Sequence, residues 1–235
     1  MTHLQVITGN IFNSKCQVLV NTVNCVGAMG AGIALECRLR YPALYREYVG
    51  LCAQQRIAVG QLWLFKSPQK WVLNFPTKKD WRNPSQEQYL QAGLERFLAT
   101  YQTDGIESIA FPLLGAQNGG LDPARVLALM KGYLSQCEIP VEIYLHDTKT
   151  TDPVYQGLKT AFLTLAPAEL AYRTKLRPAA VEAVKRALSM AGICQLGPLT
   201  KAPGLSVAMV ASALLALETP EERIGAGSGQ GDLGI

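Results

Sequence analysis

Apolar positions along this chain recur with two periods. Short continuous runs rich in β-branched and aliphatic residues fall at 4–8, 18–20, 61–65, 71–75, 109–113 and 141–145. Runs of that length, bounded by turn residues, predict buried strands. Between them the spacing turns helical. Ile33, Ala34, Cys37 and Leu39 share one helical face, residues 43–51 continue as a short helix, and Tyr89, Leu90, Leu94, Phe97, Leu98 and Tyr101 line the buried side of a long one. Punctuation agrees. Tyr41-Pro42 breaks the first helix. Ser85 and Gln88 make a capping-box pattern ahead of the long one, and Asp104-Gly105 stops it. The hairpin 61–75 turns on Lys66-Ser-Pro-Gln-Lys70. Asp122 stands in the N-cap place of a further helix, with Pro123 in its first turn. Strands alternating with helices predict an α/β layered sheet.

After His146-Asp147 the pattern changes. A polar stretch, 148–152, leads to Pro153. Residues 154–220 are rich in Ala and Leu at helical spacing: Leu158, Phe162 and Leu165; Val181, Val184 and Leu188; Val207, Val210 and Leu214. Pro178 is expected to start one helix and Gly192 to end it. These residues predict a small helical module, open to packing on the first domain or docking a partner. The Gly- and Ser-rich tail, 224–235, is expected to be disordered. The domains expected are therefore 1–150, 154–220 and that tail.

Composition narrows the class. Of 235 residues 49% are hydrophobic, enough for a substantial core. No uninterrupted apolar run reaches about 18 residues, so no membrane span is predicted, and the chain enters its first strand with no signal peptide pattern. The six cysteines are irregularly spaced without a C-x-x-C, and there are two histidines. That argues against a zinc site or a disulfide scaffold, and for free thiols in a reducing cytoplasm. No metal and no cofactor is expected. The balance of 22 basic to 18 acidic residues says little. Locally, Lys66, Lys70, Lys78, Lys79 and Arg82 stand against Asp80 alone, with Trp71 and Trp81 among them. Basic residues interleaved with aromatics suit a nucleic-acid strand; a solvated charged rim is the plainer alternative.

The candidate chemistry follows the strand at 18–20. Asn21 and Asn24 stand at its end, and Gly27, Gly30 and Gly32 lead into a helix. Glycines let backbone N–H groups approach a ligand, and a helix N-terminus adds unpaired donors and a positive dipole end. The stretch therefore suits a phosphate or diphosphate, or else serves only as a tight packing turn. It is neither a P-loop, lacking Gly-Lys-Ser/Thr, nor the G-x-G-x-x-G of a Rossmann unit. In α/β sheets ligands sit at the carboxyl ends of parallel strands. Asn10, Asn21 and Asn24, Thr77-Lys78-Lys79 and the loop 115–120 all fall at such predicted ends.

Three segments carry a resemblance to a known family: Asn21-Thr-Val-Asn24 running into Met29-Gly-Ala-Gly-Ile-Ala34; Asn74-Phe-Pro-Thr-Lys-Lys-Asp-Trp-Arg82; and Phe111-Pro-Leu-Leu-Gly115 through Asn118-Gly-Gly-Leu-Asp122. Over about residues 1–150 the chain resembles the macrodomains. Within them it is most similar to the DarG-type DNA ADP-ribosyl glycohydrolase antitoxins and the terminal ADP-ribose protein glycohydrolases. The resemblance implies a three-layer α/β/α sandwich with a mixed, mostly parallel sheet. It implies ADP-ribose bound by Asn10, Ile11, Asn21, Asn24, Gly30, Gly32, Ile33, Thr77, Gly115, Gln117, Asn118, Gly119, Gly120 and Leu121. Asn10 stands where many macrodomains carry an aspartate for adenine, and Gly115-Ala116-Gln117 departs from the usual Gly-Cys-Gly. Lys78 matches the lysine that attacks or holds the anomeric carbon of the distal ribose. Asp122 matches the acid that assists, although its N-cap role explains it equally, and Asn21 completes the implied catalytic set. Lys79, Trp81 and Arg82 are then expected to contact DNA. The implied partners are ADP-ribosylated single-stranded DNA and a DarT-type toxin, in the cytoplasm. Two other readings stay open: an ADP-ribose-binding module without catalysis, and a hydrolase of ADP-ribosylated protein carboxylates or O-acetyl-ADP-ribose.

Overall fold

The structure, a computed structural model, describes residues 3–217. These form two compact units whose boundary in sequence lies between His146 and Asp147. In the first, six strands, β1 (Leu4–Gly9), β2 (Val18–Val23), β3 (Trp63–Phe65), β4 (Trp71–Pro76), β5 (Ile109–Pro112) and β6 (Val141–His146), make one sheet in the order β1-β6-β5-β2-β4-β3. Five strands are parallel; β3 joins the edge antiparallel to β4.

The unbroken apolar runs of the inner strands β2, β4 and β5 reflect burial on both faces, which a parallel sheet covered by helices requires. The edge strand β1, expected to be buried, is instead largely exposed, since at the edge of the sheet it lacks a neighbour on one side. Val18 and Val20 pack toward α3 (Glu87–Thr100) and α4 (Pro123–Leu134), with Leu94, Phe97 and Met130. Leu19, one residue out of phase, packs toward α1 (Gly32–Arg40) and α2 (Pro42–Ala53), with Cys37, Leu44 and Tyr48. The result is a three-layer α/β/α sandwich with two cores. Gly93 inside α3 has a packing reason: a Cβ there would lie 2.1 Å from the ring of Phe75, so the helix can sit on β4 only without one.

Three local expectations are corrected. The strand predicted at 18–20 runs on to Val23, so Asn21 lies mid-strand rather than at its end. It stands opposite Asn74 of β4, and its Nδ2 donates to Asn74 Oδ1 at 2.9 Å. Asn74 Nδ2 donates onward to the Trp63 carbonyl at 3.3 Å. The pairing satisfies Asn21 Nδ2 and both atoms of the Asn74 amide inside an apolar core. Second, Ser85 does not cap α3: the N-cap is Gln86, and no side chain caps the helix. Third, Tyr89 and Leu98 are only half-buried on α3. The break expected at Tyr41-Pro42 is present: α1 ends at Arg40 and α2 starts at Pro42, whose fixed φ suits a first turn.

The second unit is helical: α5 (Pro153–Thr164), α6 (Pro167–Thr174), α7 (Pro178–Leu188), α8 (Leu196–Leu199) and α9 (Val207–Leu214). Its core holds Leu158, Phe162, Leu170, Val184, Leu196 and Val210. Buried Asp152 caps α5, accepting from the N–H groups of Val154 and Tyr155. The Tyr155 hydroxyl donates to the Ile193 carbonyl at 2.6 Å, and burial pushes its pKa up to about 12. Helix α7 ends at Leu188, short of Gly192, which takes a positive φ in the following turn. The glycine-rich tail lies outside the described residues. Among the described residues no helix is long and apolar enough to cross a membrane.

Candidate active site

The carboxyl ends of β1, β2, β4 and β5 lie on one rim of the sheet, and most of the predicted residues gather there. At the end of β1, buried Asn10 caps a 3-10 turn, Ile11–Asn13, by accepting from the Phe12 N–H at 3.1 Å. That oxygen is committed to the turn, and Ile11 beside it is buried.

At the end of β2 the two predicted asparagines separate. Asn24 reaches the rim, but its amide is engaged within the protein. Its Nδ2 donates to the Ala28 carbonyl at 2.6 Å, and its Oδ1 accepts from the N–H groups of Val26 and Ala28. Tyr48 of α2 donates from below to the Asn24 carbonyl at 2.6 Å. Asn24 thus holds the Gly27 turn. Asn21 is fully buried, with Oδ1 unpartnered. It lies within β2, two residues before the end of the strand at Val23.

Beyond this turn, Gly30 is open: a Cβ there would meet no atom within 4 Å. Helix α1 begins at Gly32 with N-cap Ala31, which offers no side-chain acceptor. Its first N–H groups therefore remain donors for an anion, with Ile33 half-buried in that first turn. Gly32 has φ +55°, and a Cβ there would come within 2.6 Å of Asn118 Nδ2. The two glycine loops thus approach each other.

The second loop follows β5. It closes on itself through the Leu121 N–H to the Gly115 carbonyl, 3.1 Å. At Gly119 a Cβ would lie 2.1 Å from that carbonyl oxygen, so no other residue fits without opening the loop. Ser85 braces it from outside, its N–H donating to the Gly119 carbonyl at 2.9 Å. Gln117, Asn118 and Gly120 are exposed. Asp122, also exposed, caps α4 by accepting from the Arg125 N–H at 2.8 Å. One carboxylate oxygen is thereby occupied.

Lys78 joins the two sides. Buried Thr77 ties the end of β4 to β2 through its N–H to the Val23 carbonyl, 3.0 Å. One residue on, Lys78 Nζ donates to the Asn118 carbonyl at 2.5 Å. Lys79 turns elsewhere, its ammonium 5.8 Å from the Tyr89 ring. Cys25 holds both from beneath: its N–H donates to the Lys79 carbonyl at 3.1 Å and its thiol to the Lys78 carbonyl at 3.4 Å. Burial raises the Cys25 thiol pKa, so it stays a protonated donor. Sequence reasoning missed Cys25, Tyr48 and Ser85. Each acts through backbone brought near from elsewhere in the chain, and no local pattern marks that.

The basic run 66–82 is not one surface. Lys66 stacks on Trp71 at 4.4 Å, and Lys70, half-buried, donates to the carbonyls of Ser14 and Cys16, with burial lowering its pKa. Both precede β4, whereas Lys78, Lys79 and Arg82 follow it. A six-residue strand separates the groups by roughly 20 Å. The expected single track is therefore split, and the rim keeps only its second half. No group of three or more His, Cys, Asp or Glu able to hold a metal ion occurs among the described residues.

Two small-residue loops, an uncapped helix start and an amine between them gather backbone donors and a cation on one rim of an α/β/α sandwich, an arrangement that suits an anionic ligand. The chain belongs to the macrodomain family: the Macro domain profile matches residues 20–130. It is 35% identical over 148 residues to the DNA ADP-ribosyl glycohydrolase of Thermus aquaticus, a match spanning 61% of this chain and 41% of that protein. The chain thus spans less than half the length of this curated relative. Among solved structures, the macrodomain of Mycobacterium tuberculosis DarG is 36% identical with a TM-score of 0.58, over 60% of this chain and 96% of that one. Thermosipho africanus DarTG in complex with ADP-ribose is 33% identical, also at TM-score 0.58, over 65% of this chain and 44% of that one.

Proposed function

We propose that this chain is a glycohydrolase that removes ADP-ribose from an ADP-ribosylated thymine base in single-stranded DNA. The observation that carries the reading is the position of Lys78, its Nζ spanning from the end of β4 to the second glycine loop at Asn118. The named activity of the Thermus aquaticus relative supports it, as does the ADP-ribose bound by the Thermosipho africanus neighbour.

In this reading the diphosphate lies between Gly30–Ile33 and Gly119–Leu121, receiving backbone N–H donors from both loops. Lys78, as a free amine, attacks the anomeric carbon of the distal ribose. The thymine nitrogen leaves with the electron pair of the broken bond and takes up the proton that the attacking amine sheds. Water, deprotonated by Asp122, then attacks the anomeric carbon; Nζ departs with the C–N pair and takes that proton from Asp122, restoring the amine. Residues 3–146 supply every group this needs. A DarT-type transferase as cognate partner belongs to the same proposal, and the DarTG neighbour supports it. Six free cysteines suit a reducing cytoplasm.

Incubation with ADP-ribosylated single-stranded DNA tests the reading, with release of ADP-ribose and unmodified DNA expected. Lys78→Ala should abolish turnover while ADP-ribose affinity by calorimetry stays largely intact. A wild type that binds ADP-ribose yet leaves the DNA unchanged would reduce the site to a reader. Turnover of acyl-linked ADP-ribose alone would reassign it to carboxylate substrates.

A further inference from the structure

We propose that Trp81, braced by Arg82, is a stacking platform for the nucleobase next to the ADP-ribosylated one, so that the enzyme reads a strand and not a single modified nucleoside. The inference rests on the glycohydrolase reading and deepens it.

Trp81 is 53% exposed. Among the described residues of the first unit, the other large hydrophobic side chains exposed are the valines Val6, Val26 and Val49. An indole left in water loses the burial that makes tryptophan useful to a fold. This one nevertheless has a partner. The Arg82 guanidinium stacks over its ring at 4.6 Å. Arg82 is itself tethered to Asp80 by an ion pair of 3.1 Å, and its N–H donates to Asp80 Oδ1 at 2.9 Å. The turn therefore holds an aromatic plane and a cation together before any ligand arrives.

Position decides what that plane can meet. Trp81 stands three positions after Lys78, a Cα–Cα span of at most roughly 11 Å. Neighbouring bases on a strand rise about 3.4 Å apart when stacked, so a strand whose modified base stands at Lys78 carries its neighbours within that reach. Exposed Lys79 lies between, suited to the linking phosphate. Every base has a π-face, so stacking on indole tolerates any sequence. A polypeptide substrate would present no planar group at such regular spacing, which favours DNA.

The test compares ADP-ribosylated thymidine with a short ADP-ribosylated oligonucleotide, using the full chain. The wild type should prefer the oligonucleotide in kcat/KM by about tenfold or more. Trp81→Ala should collapse that ratio toward one, and Trp81→Phe should keep most of it. A ratio as large in Trp81→Ala as in the wild type overturns the platform and leaves the glycohydrolase reading standing. If the wild type cleaves neither substrate, that reading falls and affinity decides instead. Tighter binding of the oligonucleotide that Trp81→Ala loses then supports the platform; equal affinity for the two substrates overturns it.

Discussion

A single added methyl separates the two kinds of glycine at this site. At Gly119 the Cβ of alanine would sit 2.1 Å from the Gly115 carbonyl oxygen and 2.5 Å from Ser85 Oγ. The first of these is backbone of the same loop, so relief requires opening the loop. Gly119→Ala should therefore lower both the melting temperature and ADP-ribose affinity, the latter by about tenfold or more in a calorimetric titration. Gly30 has nothing within 4 Å of an added Cβ. Gly30→Ala should leave the melting temperature unchanged, so any loss of affinity there reports the close approach of the ligand itself. Wild-type affinity in Gly119→Ala would mean that the second loop does not touch the diphosphate.

At the scale of the element, the start of α4 assigns two roles to one side chain. Asp122 caps the helix through the Arg125 N–H, and in the proposed reaction its carboxylate also serves as base. Asparagine keeps an N-cap acceptor and has no carboxylate; alanine has neither. Asp122→Asn should hold the wild-type melting temperature, whereas Asp122→Ala should lose about 1 kcal/mol of stability. Both should cut turnover of ADP-ribosylated DNA about a hundredfold or more. Full activity in Asp122→Asn would confine the residue to capping. The preceding loop follows the same logic, since Ser85 and Gly119 are joined by backbone hydrogen bonding and not by a side-chain cap on α3.

For the whole molecule, the rim draws on β1, β2, β4 and β5 and the starts of α1 and α4, all within residues 3–146. Both hydrophobic cores of the sandwich also lie within that span. A fragment ending at His146 should fold and bind ADP-ribose with the affinity of the full chain, by calorimetry. Loss of binding on removing residues 147–235 would show that the helical unit completes the site.

Much of this was written locally. Hydrophobic period placed the strands, most firmly the inner ones β2, β4 and β5, because a parallel strand buried on both faces is apolar nearly without interruption. Asp122-Pro123 marked the start of α4, because capping depends on residues three apart. The glycine loops were visible because positive φ and close backbone approach leave few other residue types. Tertiary structure alone decided the rest. The Val18 run continues through Asn21 because Asn74, fifty-three positions later, supplies an amide partner inside the sheet. The basic run 66–82 divides because a strand of the folded sheet intervenes. Lys78 gains its position from the Asn118 carbonyl and from Cys25 beneath it, contacts that exist only once distant segments pack. Local preferences can specify elements and their ends; which groups then face one another depends on the packing of the sheet.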